Sequence, residues 1–310
     1  MTADELLRRV EAGGLLAGPQ ALLVLLSGGR DSVCMLDLAV RARGPEAVTA
    51  LHANYGLRDE AEDDERHCAG LCERLGVSLE VERPRRGEGA GNLQAWARQE
   101  RYAAAARLAE ESDARILTGH TADDQVETIL YRLASSPSRR ALLGMKPKDR
   151  RLARPLLGAT REETTAYCEE RGLAWRDDAS NEQAGYKRNL LRRDLVPALK
   201  EIHPAAKRNV LRTAELLREE AELLDSLVDA ELAGGDDAPV GTISRERFAA
   251  LHPALRRLVL QRLADEAAGR PVAGAARFAD QVAGLTRGGS VLDLGFGVRA
   301  ILESGVLRAE

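Results

Sequence analysis

The apolar run Ala21-Leu22-Leu23-Val24-Leu25-Leu26, followed at once by Ser27-Gly28-Gly29-Arg30-Asp31-Ser32, constrains this chain more than any other feature. Six apolar residues bounded by Gly-Gly predict a buried strand that must turn sharply. The amphipathic stretch at 32–43 then predicts a helix that starts inside the turn. A strand ending in Ser-Gly-Gly and opening directly into a helix aims successive backbone N–H groups into one concavity at a positive helix end, an anion nest. Both glycines are expected to permit positive φ and close approach of a phosphate, with the Ser27 and Ser32 hydroxyls as added donors. The plainer alternative is a Gly-Gly turn with Ser and Asp favouring the helix start. The full six-residue string directly after a strand argues against it.

Short apolar runs at 21–26, 48–52, 77–82 and 115–118 alternate with helical patterns at 32–43, 60–75, 93–109 and 123–133. That alternation predicts an α/β fold, a parallel sheet with helices on both faces and a ligand crevice beyond the carboxyl ends of the strands. After Pro155 the pattern becomes helical, at 160–171, 189–199 and 205–232. In the last of these Val210, Leu216, Leu217, Leu223, Leu224, Leu227 and Val228 form a stripe expected to pack on a partner helix or on the first domain. Residues 234–239 read as a linker, 245–268 and 275–285 as a helical pair, and 290–294 with 299–308 as a hairpin. The expected organisation is an α/β domain over 1–200, a mainly helical domain over 201–285 and a short β-rich tail over 286–310. A chain of 310 residues accommodates that at roughly 100–200 residues per domain.

A second constellation, Thr118-Gly119-His120-Thr121-Ala122-Asp123-Asp124-Gln125-Val126-Glu127-Thr128, again runs from a strand end into a helix. Asp124 and Glu127 share a helical face at i,i+3, where they suit a magnesium ion or a substrate amine. Thr121 and Asp124 also fit a capping box, and His120 fits a residue satisfying turn hydrogen bonds. The position of this string on the same sheet edge as the nest favours the ligand reading. Two other nucleotide fingerprints fail. No Gly-x4-Gly-Lys-Ser/Thr string occurs, and Gly295-Phe296-Gly297-Val298-Arg299-Ala300 leaves too little chain for a dinucleotide fold, so it reads as a hairpin turn.

Charge adds a partner. The net charge of −4, from 45 basic and 49 acidic residues, does not by itself indicate nucleic acid. Its distribution does: Arg139, Arg140, Lys146, Lys148, Arg150, Arg151 and Arg154 face only Asp149 in sequence. Lys187, Arg188, Arg192, Arg193, Lys200, Lys207, Arg208 and Arg212 likewise outnumber Asp194 and Glu201. Two lopsided blocks point to a polyanion. Cys34, Cys68, Cys72 and Cys168 have neither zinc-site spacing nor the density of a disulfide framework, so reduced thiols are expected. With no apolar run near ~18 residues and no leader pattern, the expected setting is the cytoplasm.

The same residues carry a resemblance. Ser27-Gly28-Gly29-Arg30-Asp31-Ser32 looks like the PP-loop of the N-type ATP pyrophosphatases. Four further strings, His52-Ala53-Asn54-Tyr55-Gly56-Leu57-Arg58, Asn92-x5-Arg98-x2-Arg101-Tyr102, Gly119-His120-x2-Asp123-Asp124-x2-Glu127-Thr128 and Arg154-Pro155-Leu156-Leu157, narrow the class. Together with Trp175-x-Asp177-Asp178-x-Ser180-Asn181-x4-Tyr186-x-Arg188-Asn189-x2-Arg192, they resemble the tRNA(Ile)-lysidine synthetases. The resemblance implies that ATP adenylates the carbonyl oxygen on carbon 2 of the wobble cytidine of a CAU-anticodon isoleucine tRNA. An amine of free L-lysine then displaces AMP to leave lysidine. It further implies an ATP site at Ser27, Gly28, Gly29, Arg30, Asp31, Ser32, His52 and Gly119, with Mg2+ on Asp31 and Asp124. Asp31, Asp124 and Arg101 are the expected catalytic residues, Arg101 answering charge on the α-phosphate. Glu127 is expected to take the lysine ammonium, and Arg188, Asn189 and Arg192 the tRNA. A membrane is not an expected partner, and a homodimer is an open possibility.

The chain departs from the family at Tyr55, where His or Asn is frequent, and at Ala134-Ser135-Ser136-Pro137-Ser138, where a Gly-rich loop is usual. Longer members carry a further C-terminal domain. Two other readings are kept: another PP-loop tRNA-modifying enzyme that thiolates its base, and a non-catalytic RNA-binding protein. The iron–sulfur thiolases need Cys-x-x-Cys, which this sequence lacks, and loss of Asp31 or Asp124 would mark the non-catalytic case.

Overall fold

The computed structural model describes residues 1–57, 60–86, 92–136, 139–176, 189–234 and 238–310. Two compact units emerge, Met1–Glu215 and Leu216–Glu310.

The first unit opens with α1 (Ala3–Ala12), started by a capping box between Thr2 and Glu5. It then alternates β1 (Leu22–Leu25), α2 (Arg30–Arg43), β2 (Val48–Ala53), α3 (Ala61–Leu75), β3 (Ser78–Glu82), α4 (Leu93–Glu111), β4 (Arg115–Leu117) and α5 (Ala122–Ser135). A short α6 (Arg139–Leu142), β5 (Lys148–Asp149), β6 (Leu152–Ala153) and α7 (Arg161–Glu170) follow. The strand order is β3-β2-β1-β4-β6-β5, with every neighbour pair parallel except β5 and β6. This is the α/β architecture expected from the alternation.

Pleating explains why β1 is apolar throughout. Leu22, Val24 and Leu26 enter the core shared with α1, α2, α3 and α7, whereas Leu23 and Leu25 join Leu51, Ile116, Ala105 and Ala109 under α4. Both faces are therefore covered. The chain leaves β1 toward β2 and β3, then returns to place β4 on the other side of β1, which makes the β1–β4 boundary a topological switch point. On one face α7 is tied to α2 by Asp37, which is 1% exposed and accepts hydrogen bonds from the Tyr167 hydroxyl and from Arg171 Nε at 3.1 Å. A carboxylate so deeply buried persists only when paired in this way.

Three features differ from the sequence expectation. The first helix and the β5–β6 pair are additions. The long helix Ala206–Leu232 buries the expected stripe only in part: Val228 is buried and Val210, Leu217 and Leu224 are half-buried, but Leu216, Leu223 and Leu227 are exposed, while Ala214 and Ala221, at heptad spacing from Val228, are buried instead. In the second unit the expected hairpin is part of a four-stranded antiparallel sheet, ordered β7 (Ile243–Ser244), β10 (Val306–Ala309), β9 (Val298–Glu303), β8 (Ser290–Gly295). Ser304 and Gly305, at φ 51° and 79°, split the run expected as one strand. Phe296 and Gly297, both at positive φ, form the two-residue turn between β8 and β9. The helix Pro253–Ala268 supplies Val259, Leu260 and Leu263 to this unit's core, with Phe248, Leu294 and Leu307.

Candidate active site

The nest lies at the carboxyl end of β1. Gly28 has φ +82°, a conformation that L side chains rarely adopt, and a Cβ there would also meet Cys68 Sγ at 3.3 Å. Gly29 departs from expectation: its φ of −75° and ψ of 154° are those of an ordinary N-cap residue. A Cβ on Gly29 would make only ordinary contacts, at 3.5 Å to Ser27 Oγ and 3.9 Å to the Arg176 carbonyl. Any need for glycine here therefore comes from what approaches the loop rather than from its backbone. Ser32 Oγ donates to the Gly29 carbonyl at 2.7 Å and accepts the Ser27 N–H at 3.2 Å, so the two serines brace the turn from within. The Arg30 and Asp31 N–H groups precede the first carbonyl bond of α2, whereas the Ser32 and Val33 N–H groups already donate to the Gly29 carbonyl, each at 3.0 Å. His52, buried on β2, approaches the Leu26 carbonyl with Nδ1 at 2.9 Å and so holds the strand end from below.

The second motif is locked to the first through backbone. A Cβ on Gly119 would stand 2.6 Å from the Asp31 carbonyl oxygen and 3.0 Å from the Ser32 nitrogen. Glycine at 119 is thus what lets the turn after β4 press on the first turn of α2. Across this contact the three acids converge on one cation that sequence reasoning did not identify. Arg161, the first residue of α7, donates from Nη2 to Asp124 at 2.7 Å and from Nη1 to Glu127 at 2.9 Å, and its Nε lies 3.9 Å from Asp31. Burial works against the Arg161 charge, but Asp124 and Glu127 hold its pKa above the usual arginine value. Burial in turn raises the Glu127 carboxyl, with Arg161 opposing and Asp124 reinforcing the shift.

Asp124 forms the capping box that was the plainer alternative, and its other oxygen is taken by a cation. Its Oδ2 accepts from the Thr121 N–H at 2.8 Å and the Thr121 hydroxyl at 3.0 Å, while Oδ1 takes Arg161. Asp31 Oδ1 accepts from the Thr164 hydroxyl at 2.5 Å and Arg30 Nε at 3.2 Å. Among the described residues no group of three or more His, Cys, Asp or Glu side chains is arranged to hold a metal on its own. Asp123 accepts the Arg161 N–H at 2.9 Å and also pairs with Lys207, anchoring the helix that carries the arginine.

Arg101 lies on α4 beside a cavity of about 270 Å³ that Ala53, Glu82 and Glu100 also line. Its Nε is buried with no hydrogen-bond partner among the described residues. His120 is held neutral: burial pushes it down to about 4, Asp124 pulls the other way, and Arg154, Arg98 and Arg101 push it further down. Arg192 and Asn189 sit at the helical turn before Val196, and Arg192 comes near enough to act on the Glu127 charge. Arg188, Arg58, Asp177, Asp178, Ser180, Asn181 and Tyr186 lie outside the described residues, as do Pro137 and Ser138 of the expected loop.

A PP-loop domain model matches residues 3–199. The tRNA(Ile)-lysidine synthase of Thermus thermophilus is 40% identical over 266 residues, which cover 83% of this chain and 51% of that relative. The protein of the same name from Symbiobacterium thermophilum is 35% identical across 98% of this chain and 68% of its own length. The chain belongs to the tRNA(Ile)-lysidine synthase family.

This family member spans about half the length of its Thermus relative. A solved U34-tRNA thiolase from Methanococcus maripaludis shares the fold, with a TM-score of 0.58 at 20% identity over 69% of this chain and 78% of that one. Other motif residues of the tRNA(Ile)-lysidine synthase pattern have structural work here. Asn92 caps α4 by accepting the Gln94 N–H at 3.0 Å, Tyr55 donates to the Ala97 carbonyl at 2.7 Å, and Trp175 packs on the main core. No helix among the described residues is long and apolar enough to cross a membrane.

Proposed function

We propose that the chain ligates free L-lysine to carbon 2 of the wobble cytidine in CAU-anticodon isoleucine tRNA, with ATP as the activating substrate. The observation that carries this reading is the Gly119 contact, which sets an anion nest and a three-carboxylate cluster side by side at one switch point. In the first step the cytidine carbonyl oxygen attacks the α-phosphorus and pyrophosphate leaves into the nest of Ser27, Gly28, Gly29, Arg30 and Ser32. In the second, a lysine amine attacks carbon 2, AMP departs and the amine loses a proton. Preorganised N–H groups and a guanidinium act where the charge develops, and this is the largest source of rate in such transfers.

Arg101, with its unpartnered buried Nε, is assigned to the α-phosphate. Glu127 is assigned to the lysine ammonium. Mg2+ bound to ATP needs only one or two carboxylate oxygens besides phosphate. Asp31 suits this because its Oδ2 faces Arg161 Nε at no closer than 3.9 Å, whereas Asp124 would first have to release Arg161. Bound there, Mg2+ would neutralise the leaving pyrophosphate. The basic segment around Arg188, Asn189 and Arg192, and the region beyond residue 200, are assigned to the tRNA. A base in an anticodon loop can leave its stack cheaply, which suits attack on its ring.

Thiolation is the weaker reading. Cys68 and Cys72 are single buried thiols that burial pushes up to about 12 and about 11, opposite to the thiolates that sulfur transfer requires. The test is incubation with ATP, labelled lysine and the tRNA. AMP release that depends on both lysine and tRNA supports the reading, and AMP release indifferent to lysine contradicts it.

A further inference from the structure

Several buried donors near the β6 end of the sheet have no acceptor among the described residues. Arg154, directly after β6, is only 8% exposed; its Nη1 donates to the Lys146 carbonyl at 2.6 Å, but its Nε has no partner. Arg101 Nε and the Tyr102 hydroxyl, on α4, are buried and unpartnered too. Arg98 and Arg101 place their guanidinium carbons 4.7 Å and 5.7 Å from the Tyr102 ring centroid. The groups lie together: Tyr102 and Leu152, two residues before Arg154, pack against the same core cluster, and the charges of Arg98 and Arg101 bear with Arg154 on His120.

Such an arrangement is costly without a counterion. A buried guanidinium lacking its carboxylate loses several kcal/mol of hydration, and orphaned buried donors require an explanation. The acid that acts on Arg154 is Asp149, which is exposed, and Arg98 and Arg132 oppose it. The polar atoms left open are donors, which excludes a cationic ligand and suits the oxygens of a phosphate. His120 brings the cluster to the reactive centre, because it follows Gly119, whose backbone rests on Asp31. On the outer side, Lys146, Lys148 and Arg150 are exposed along the β5–β6 hairpin that ends at Arg154. A basic surface leading into a buried guanidinium fits a chain of phosphates better than one free nucleotide.

We propose that Arg98, Tyr102 and Arg154, together with Arg101 at the edge of the ATP site, form a seat for a backbone phosphodiester of the RNA substrate close to the base that reacts. This rests on the reading that the substrate is RNA, but it is read by binding rather than by turnover. The experiment measures binding of CAU-anticodon isoleucine tRNA across a salt series, and ATP binding in parallel. The proteins compared are the wild type, Arg98→Gln, Tyr102→Phe and Arg154→Lys. Arg98 is exposed and Phe keeps the ring, so the first two variants preserve the fold even if Arg154→Lys does not.

Arg98→Gln should weaken tRNA binding about 10-fold and flatten the slope of log affinity against log salt by about one, with ATP affinity unchanged. Tyr102→Phe should weaken tRNA a few-fold with no change in salt slope. If ATP affinity falls while the tRNA salt slope stays, the phosphate belongs to the nucleotide and the proposal is overturned. It is also overturned if neither binding changes, or if the wild type does not bind tRNA. A wild type that binds tRNA with the predicted variant pattern yet transfers no lysine would sink the reaction assigned above and leave this seat standing.

Discussion

Replacing Arg161 by Gln removes the cation shared by three carboxylates and shortens the side chain by two heavy atoms while keeping a polar N–H end. Two charge-assisted hydrogen bonds disappear, at 2.7 Å to Asp124 and 2.9 Å to Glu127. Breaking a buried pair typically costs about 3–5 kcal/mol. Here the side chains of Arg161, Asp124 and Glu127 are 17%, 26% and 11% exposed, so solvent relieves part of that cost. About 3 kcal/mol at pH 7 is the expected loss. The pH dependence follows from Glu127. Burial already raises its pKa, and losing Arg161 removes the influence that lowers it. A carboxyl whose folded pKa exceeds its unfolded value destabilises fully above the folded pKa and ceases to do so as pH falls through it. The gap between wild type and variant should therefore narrow from pH 7 to pH 5. Urea unfolding at both pH values measures it. A loss below about 0.5 kcal/mol at pH 7, or a gap that widens on acidification, would refute the claim that Arg161 neutralises this cluster.

The contact at Gly119 gives a second prediction. With a Cβ placed 2.6 Å from the Asp31 carbonyl, Gly119→Ala must part the two motifs by several tenths of an ångström. It should cost about 1–3 kcal/mol and lower AMP formation about 100-fold; wild-type turnover would show that the motifs need not touch. Gly29→Ala should leave stability within about 0.5 kcal/mol, since φ there is −75°, and should still abolish ATP use; unchanged ATP binding would remove Gly29 from the nest. His120 should titrate near 4 by NMR, so its contribution to stability is present above about 6.5 and fades as pH falls from there toward 4. A ring titrating near 6.5 would contradict the burial, and the cationic surroundings, described for it.

Much of the first unit was legible because β1 is buried on both faces and ends in a string with few structural uses. The strands β2, β3 and β4 were read to within a residue or so from short runs bounded by helical patterns, although β3 is an edge strand whose residues are exposed or half-buried. α1 was missed because Leu6 and Val10 give only one turn of periodicity, and β5 and β6 because two residues carry no period. The stripe on Ala206–Leu232 misled in part because leucines outweigh alanines in any hydrophobic pattern, while Ala214 and Ala221 are buried and Leu216, Leu223 and Leu227 are not. Arg161 escaped because it follows Thr160, whose capping box with Glu163 reads as an ordinary helix start. The available signal was electrostatic: Asp31, Asp124 and Glu127, placed on one sheet edge, need a cation from another segment. The Gly29 expectation failed because a Gly-Gly pair does not say which glycine carries the positive φ.

The central claim concerns the product. After incubation with ATP, lysine and CAU-anticodon isoleucine tRNA, the tRNA is digested and its nucleosides weighed by mass spectrometry. The account predicts one cytidine heavier by lysine less one water, located at the wobble position and absent when that base is changed to uridine. Sulfur at that cytidine, or an unmodified base under saturating ATP and lysine, would contradict it.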